Sequence, residues 1–335
     1  MRVLIRPRWP VLALLVLAPA IPELLTGSTP ITTLFVSPAF FAISFLGIMG
    51  LYGTGALLIR EFVVYFQKGW ASVLLLGAAY GIGEEGFAVH TFFEPYGNPV
   101  HALGTYGHAL GVNWLWALGL TVFHATYSIA LPILLVGLWY PKTRDVRWLD
   151  RGAVAVTAAV YLFVVALFSV VVGYGPSPPV FAFFLALGLA FILLAWSVPR
   201  ELLRLRAGRP RVSPRIVAVA GALPFAAWTV VLVLSSHPIV SAVVTGLVVA
   251  LVGVLSLTIV FRFAGTDRPE WTKFYLACGM LGILFAWDVL IEFQVPGILV
   301  VTAVFVYALY RLRQTMRARE APPTTLRSGT VPPTA

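Results

Sequence analysis

The residues best able to do chemistry lie within one stretch of the chain, residues 80–128. It contains three carboxylates and four of the five histidines, and it has no Lys or Arg. The carboxylates are Glu84, Glu85 and Glu94, and the histidines are His90, His101, His108 and His124. Acids in an apolar helical setting are costly and usually belong to a functional site. The stretch therefore predicts a site that handles charge.

Depth along two consecutive helices predicts that Glu84, Glu85 and His124 converge as the catalytic group. Glu84 follows Trp70 by 14 residues, about 21 Å of helix. His124 follows Asn113 by 11 residues, about 17 Å on a helix running the other way. Antiparallel neighbours of these lengths bring the two positions to comparable depth.

The helix around His124 carries a polar seam, because Thr121 and Ser128 lie three residues before and four residues after it. Successive helical residues point about 100° apart, so Glu84 and Glu85 are expected to face different ways. We expect one to face a cavity and the other to bond a neighbouring helix. A purely structural hydrogen-bond network is the alternative.

A divalent metal is an alternative occupant of this site, with His90, His124 and Glu85 as the candidate ligands. His90 and Glu94 have the i,i+4 spacing that suits a metal. However, Pro95 predicts that the helix ends near Glu94. A neutral imidazole and a carboxylate would then share the ion.

Further polar residues fall inside predicted membrane spans or at their ends: Glu23, Thr121, Ser128, Asp288 and Glu292. Glu23 lies where proline breaks the first helix, and capping of the freed backbone is an alternative role. Asp288 and Glu292 share a helix face by their spacing. His101 and His108 lie in a glycine-rich connection, where solvated histidines are expected.

Composition places the chain among polytopic membrane proteins. Of its 335 residues 60% are hydrophobic and 11% are charged, and the mean hydropathy is +0.93. A soluble domain is about 25% charged. The single Cys278 excludes an internal disulfide, and a cysteine-based metal site is not expected.

Apolar runs of about 20 residues predict an all-α bundle of about ten transmembrane helices within residues 1–311. The predicted spans are Pro10–Ala18, Ser37–Ile59, Trp70–Phe93, Val112–Trp139, Gly152–Tyr174, Val180–Val198, Ile216–Ser235, Ile239–Phe261, Phe274–Ile291 and Val295–Tyr310. Residues 312–335 are basic and rich in Pro and Thr, and are expected to be a disordered cytoplasmic tail.

The connections between these spans alternate in charge. All 23 Lys and Arg residues fall in Arg2–Arg8, Arg60–Lys68, Lys142–Arg151, Arg200–Arg215, Arg262–Lys273 and Arg311–Arg327. The intervening connections have none. The positive-inside rule makes the basic side, with both termini, cytoplasmic in the cell membrane. The basic residues that give the net charge of +10 are then expected to contact anionic lipid headgroups on the cytoplasmic side, and nucleic acid is not an expected partner. The acidic and histidine residues are therefore expected to form an outward-facing pocket.

The N-terminus resembles a secretory signal peptide, because a basic start precedes an apolar run and the small-residue sequence Ala18-Pro19-Ala20. The alternative is a retained first helix, broken by Pro19 and Pro22. We expect retention, partly because Pro22 would lie just past the cleavage point.

Two resemblances rest on short motifs. Glu84 and Glu85, with His124 about 40 residues later, resemble the CAAX-type intramembrane proteases. That resemblance implies that the acids activate water and that His124 belongs to the second motif. Val89 and Leu120 stand where that family has Arg and Phe, and its third motif is absent. Stretches such as ELLTGSTP, GIGEEG and GVNWLWA resemble a group of prokaryotic multi-pass proteins of unassigned activity.

Three classes of function follow. The first is a transporter coupled to protons or a cation, in which the acids cycle between charged and neutral forms. The second is an intramembrane hydrolase that uses Glu84, Glu85 and His124, with or without a metal. The third is a scaffold or receptor with no chemistry. The sequence leaves open whether the protein is an enzyme.

Overall fold

The computed structural model describes residues 7–93, 103, 105–205, 212–235, 240–263 and 268–320. Within these ranges the chain forms thirteen α-helices and one short β-hairpin. The helices are α1 Arg8–Pro19, α2 Thr33–Val36, α3 Pro38–Ile48, α4 Thr54–Tyr65, α5 Trp70–Ile82, α6 Trp114–Phe123, α7 Leu131–Trp139, α8 Arg151–Val172, α9 Pro178–Ser197, α10 Pro214–Leu234, α11 Ala242–Thr258, α12 Pro269–Ile291 and α13 Ile298–Glu320. The hairpin pairs β1 His108–Ala109 with β2 Val112–Asn113.

Eight helical runs in the described residues are long and apolar enough to cross a membrane. They are Pro38–Tyr65, Trp114–Trp139, Arg151–Val172, Pro178–Ser197, Pro214–Val233, Ala242–Arg262, Pro269–Ile291 and Ile298–Glu320. The predicted all-α, multi-pass class is therefore confirmed at this level. By the criteria of length and apolar composition, fewer helices in the described residues qualify as membrane spans than the ten that were predicted. Of the two further runs, α1 and its extension fall short of about 20 residues, and the extension of α5 carries two acids.

Short π-helical segments interrupt or extend several of these helices. They are Ala20–Leu24, Met49–Gly53, Gly83–Ala88, His124–Ala130 and Ile259–Phe263. Segments of this kind are rare and occur frequently at functional sites. The first four supply most of the polar side chains described below.

Connections rich in Lys and Arg meet at one end of the bundle. The Arg60 guanidinium, at the end of α4, donates to the backbone carbonyl of Arg144 at 2.9 Å. The Arg144 side chain forms an ion pair of 2.7 Å with Glu270 at the start of α12. Arg319, near the end of α13, donates to the carbonyl of Leu138 at 2.9 Å. The basic segments are thus joined to one another directly.

Segments without Lys or Arg meet one another elsewhere. The Tyr106 hydroxyl donates to the carbonyl of Val240 at 3.0 Å, which joins the hairpin region to the start of α11. His90, after α5, bonds the carbonyl of Tyr174, after α8. Gly297, before α13, lies against Ile31. The contacts follow the charge alternation of the sequence.

The C-terminal helix is longer than expected. The predicted tail boundary at residue 311 falls inside α13, which continues to Glu320. Leu312 and Met316 are buried in the core cluster, and Arg319 also donates to the carbonyl of Trp139 at 2.7 Å. This packing accounts for the extra helical turns. The remaining residues of the predicted tail, 321–335, lie outside the described residues.

Candidate functional site

Two glycines let α5 lie directly on the helix that carries His124. A Cβ added at Gly77 would lie 2.7 Å from the Cα of Ala125, and one added at Gly81 would lie 3.1 Å from the Cβ of His124. Small residues at four-residue spacing permit this close backbone approach between membrane helices. The seam brings the acids that follow Gly81 alongside His124.

The predicted convergence of Glu84, Glu85 and His124 is confirmed. The Nε2 atom of His124 lies 2.8 Å from Glu85 Oε1, and its Nδ1 atom lies 3.1 Å from Glu84 Oε2. Nδ1 also lies 2.9 Å from the hydroxyl of Ser128, the predicted seam residue on the same helix. All four side chains are buried.

The two adjacent acids approach the same partner, which differs from the expectation that they face different ways. The imidazole lies between them, with Nε2 hydrogen-bonded to Glu85 and Nδ1 at ion-pair distance from Glu84. Both acids belong to the π-helical segment Gly83–Ala88, and His124 begins another. The two nitrogens lie on different edges of the ring. One imidazole can therefore approach both carboxylates although Glu84 and Glu85 leave the helix in different directions.

The carboxylate oxygens of Glu84 and Glu85 differ in their hydrogen bonding. Glu85 Oε2 accepts from the hydroxyl of Thr91, whose oxygen in turn accepts from the indole of Trp116 at 3.2 Å. Glu84 Oε2 is buried and has no aligned hydrogen-bond donor within the described ranges, although His124 Nδ1 is at ion-pair distance. Nδ1 is aligned instead with the Ser128 hydroxyl at 2.9 Å. Glu84 therefore retains capacity for a proton, a water or a cation.

Glu23 forms a neighbouring part of the site. Its Oε1 accepts from the hydroxyl of Tyr52 at 2.7 Å, and its Oε2 accepts from the hydroxyl of Thr29 at 2.7 Å. These bonds are to side chains, so the alternative role of Glu23 as a backbone cap is not the arrangement found. The Tyr52 ring centroid lies 5.8 Å from that of His124. Tyr52 thus connects Glu23 with the Glu84–Glu85–His124 cluster.

Three buried or partly buried tyrosines surround Glu84, and sequence reasoning missed all of them. Tyr80 lies with its ring centroid 6.0 Å from His124 and 6.1 Å from Tyr161. Tyr52 is the third, with its ring 6.0 Å from Tyr80. A tyrosine within an apolar span needs a partner for its hydroxyl. That requirement was the available signal.

His90, a predicted metal ligand, lies outside the cluster. Its Nδ1 bonds the carbonyl of Tyr174, and its Nε2 lies 3.1 Å from the carbonyl of Phe87 and 3.2 Å from the Ser169 hydroxyl. The helix ends at Ala88 rather than at the predicted residue 93, and His90 has φ 57°. This turn directs the ring toward the α8–α9 connection. The predicted residues Glu94 and His101 lie outside the described residues.

The other predicted polar residues have separate surroundings. Asp288 is buried and accepts from the hydroxyl of Thr302 in α13. Glu292 accepts from the backbone N–H groups of Gly297 at 2.8 Å and Leu299 at 3.0 Å, and these bonds lower the pKa of its carboxyl. Both tie α12 to α13.

Thr121 and His108 also belong to the region that is free of Lys and Arg. Thr121 lies against Gly81, since a Cβ added there would be 3.2 Å from the Cα of Thr121. His108 begins the hairpin strand β1 and is partly exposed. Neither belongs to the cluster formed by Glu84, Glu85 and His124.

A metal ion is a chemical option for the cluster. Glu84, Glu85 and His124 each offer one ligand atom, and these atoms lie within 4.8 Å of one another. A tetrahedral metal with bonds near 2.1 Å holds its ligand atoms about 3.4 Å apart. The contact of 2.8 Å between His124 and Glu85 is shorter and is typical of a hydrogen bond. Metal binding would require the pair to separate.

The buried acids of the site outnumber the single imidazole that could balance their charge. Glu23, Glu84 and Glu85 surround a single imidazole, and no ion pair to Lys or Arg is formed by them in the part of the chain that the structure describes. Three buried carboxylates and one imidazolium would carry uncompensated negative charge. Bound protons or a cation would compensate this charge.

No model of a known protein family matches the chain, and neither a curated protein nor a solved structure matches it.

Proposed function

We propose that the protein is a multi-pass membrane protein of the cell membrane that couples a transport step to proton binding at Glu84, Glu85 and His124. One observation supports this proposal: each nitrogen of the His124 ring lies close to a carboxylate, Nε2 at 2.8 Å from Glu85 and Nδ1 at 3.1 Å from Glu84. A buried imidazole bonded at both nitrogens accepts a proton at one and releases it at the other.

The chain's own residues define the proton steps. A proton that reaches Glu84 moves to His124 Nδ1, and the proton on Nε2 passes to Glu85 Oε1. The Ser128 hydroxyl competes for Nδ1 at 2.9 Å, so it holds the ring when Glu84 is neutral. Burial excludes water from these contacts and strengthens them.

The topology proposed with this function has ten spans, including α1 and α5, and places both termini in the cytoplasm. The contacts among basic connections at one end of the bundle support it, because Lys and Arg accumulate on the cytoplasmic side of membrane proteins. The cluster, 14 residues beyond Trp70, then lies in the outer half of the bilayer and faces outward.

Infrared spectroscopy of the reconstituted protein tests proton binding directly. The carbonyl stretch of a protonated carboxylic acid should appear on acidification and should be lost or shifted in Glu84→Gln and Glu85→Gln. Glu292→Gln is the control, since that carboxylate is not in the cluster. A spectrum unchanged by both cluster variants would refute the proposal.

Two further experiments test proton transport and its dependence on a metal ion. Proteoliposomes containing a pH-sensitive dye should show proton movement when a transported solute is added, and His124→Gln should abolish it. Prior treatment with EDTA should leave the movement unchanged. Loss of movement after EDTA, restored by added Zn²⁺, would favour a metal-dependent site.

An intramembrane hydrolase is the second candidate, and it is favoured by Glu84 Oε2, on which no hydrogen-bond donor is aligned in the described residues. That oxygen has room in its hydrogen bonding for a water. Glu84 would take a proton from this water as it attacks a peptide carbonyl, with His124 stabilising the resulting charge. The resemblance to CAAX-type proteases points the same way. Cleavage of membrane-embedded peptides, lost in Glu84→Gln, would establish it. Absence of both proton binding and cleavage would favour a scaffold or receptor.

A further inference from the structure

A large cavity occupies a different part of the bundle from the cluster. It has a volume of about 1180 Å³ and is lined mainly by α5, α6, α7, α10, α11 and α12, with further residues from α4 and the basic connections. Thr121 and Ala125 line it, whereas His124 does not. The cavity and the cluster therefore lie on different faces of the same helical run.

The lining of this cavity is divided by polarity. Its walls consist mainly of apolar side chains from the spanning helices, such as Leu134, Phe225 and Leu257. Its charged residues come from the basic connections and the adjoining helix ends, and they include seven Lys or Arg against three acids. The cavity therefore has an apolar interior and a positively charged rim.

Two of the rim cations have capacity for an anion. Arg147 donates through Nη2 to the carbonyl of Leu149 at 3.0 Å, while its Nε lies 4.0 Å from Glu61 and has no hydrogen-bond partner in the described residues. Lys68 donates to the backbone carbonyls of Trp196 and Val198, and no acid pairs with it in the part of the chain that is described. An ammonium group bonded only to carbonyls remains available to a negative charge.

We propose that this cavity binds an anionic phospholipid taken from the bilayer. The acyl chains would lie against the apolar walls and the phosphate would lie between Lys68 and Arg147. The volume exceeds the range of about 300–1,000 Å³ found for drug-sized ligands, which fits a lipid. A free anion would leave the walls without contacts, and a neutral lipid would leave the excess rim charge unmatched.

Filling the cavity tests where the lipid binds. Gly253 lines the cavity, and no described atom lies within 4 Å of a Cβ added there. Gly253→Trp should therefore fold and block the site. Gly282→Trp is the matched control, because Gly282 is equally open but does not line the cavity.

Native mass spectrometry of protein purified from nanodiscs containing phosphatidylglycerol and phosphatidylcholine measures the occupancy. We expect wild type and Gly282→Trp to retain phosphatidylglycerol, and Gly253→Trp to lose about tenfold in retention. Equal retention by Gly253→Trp and wild type would overturn the proposal.

Neutralising the rim tests the preference for charge. Lys68→Gln should lower the preference for phosphatidylglycerol over phosphatidylcholine about fivefold, as removal of one interfacial cation does. Arg215→Gln, at an exposed position that does not line the cavity, should leave the preference unchanged. Equal retention of both lipids by wild type would show a cavity without charge selection and would refute the proposal. Glu85→Gln should retain the lipid, which separates this test from the test of proton binding.

Discussion

Glu85 Oε1 and His124 Nε2 are 2.8 Å apart although the two residues are 39 positions apart in the chain. Each belongs to a π-helical segment, and each is buried. The pair therefore joins two helices inside the apolar core. Removing either partner leaves the other with an unmet hydrogen bond in a place that water does not reach.

The first prediction concerns this pair. His124→Ala should lower the free energy of unfolding by about 2–3 kcal/mol, because it leaves two buried carboxylates without their common partner. A double-mutant cycle with Glu85→Gln should give a coupling energy of about 1–2 kcal/mol. Unfolding in mixed micelles measures both. His108→Ala, in the partly exposed hairpin, should stay within about 0.5 kcal/mol of wild type. Additive effects of His124→Ala and Glu85→Gln would show that the contact contributes nothing.

The second prediction concerns the seam between α5 and the His124 helix. Gly77→Ala places a Cβ 2.7 Å from the backbone of Ala125, so the helices must separate. We expect a loss of about 1–3 kcal/mol in stability, as for overpacking in a core. The carbonyl band assigned to the cluster in infrared spectra should shift with it.

Gly282→Ala provides the comparison for this substitution. The new Cβ meets no described atom within 4 Å, so helix propensity should stabilise the protein by up to about 1 kcal/mol. Equal effects of Gly77→Ala and Gly282→Ala would argue against close packing at the seam.

The third prediction concerns orientation in the membrane. In a Cys278→Ser background, Ala109→Cys should react with an impermeant maleimide in intact cells, because its segment is free of Lys and Arg. Leu202→Cys, in a basic connection, should react only after permeabilisation. The reverse pattern would invert the topology and place the cluster toward the cytoplasm.

The fourth prediction concerns the N-terminal helix. Leu14 and Ala18 in α1 are fully buried, and Glu23 just beyond is bonded to Tyr52. Removal of residues 1–20 would strip this helix from the core. Intact mass spectrometry of the purified protein should therefore show that α1 is retained. A mature chain beginning at Ile21 would contradict the packing described for α1.

Much of the site could be predicted from regular helix geometry. The rise of about 1.5 Å per residue placed Glu84 and His124 at similar depth, and the glycines at 77 and 81 signalled close packing. Both inferences depend only on the geometry of regular helices, so they can be made without knowledge of the tertiary fold. The assumption of a regular helix gave the wrong position for the helix end, because the chain turns at His90, with φ 57°, and directs that side chain away from the cluster.

The remainder depended on contacts between distant segments. Tyr52 and Glu23 meet although 29 positions separate them, and nothing in their local sequence pairs them. The π-helical segments have no simple residue pattern, so the shared approach of Glu84 and Glu85 to one ring was not foreseeable. Likewise, the extension of α13 to Glu320 depends on packing of Leu312 and Met316 rather than on local composition.

The lack of a Lys or Arg partner for Glu84 and Glu85 in the described residues has an electrical consequence. A fixed cation would keep the net charge of the cluster constant, whereas a proton or ion that arrives changes it. In a bilayer, a charge that reaches this depth crosses part of the membrane field, and a full crossing corresponds to about 2.3 kcal/mol per charge at 100 mV. With the proposed proton binding, occupancy of the cluster should depend on membrane voltage as well as on concentration. A voltage step applied to a planar bilayer containing the protein should displace this charge as a transient current, without any added substrate.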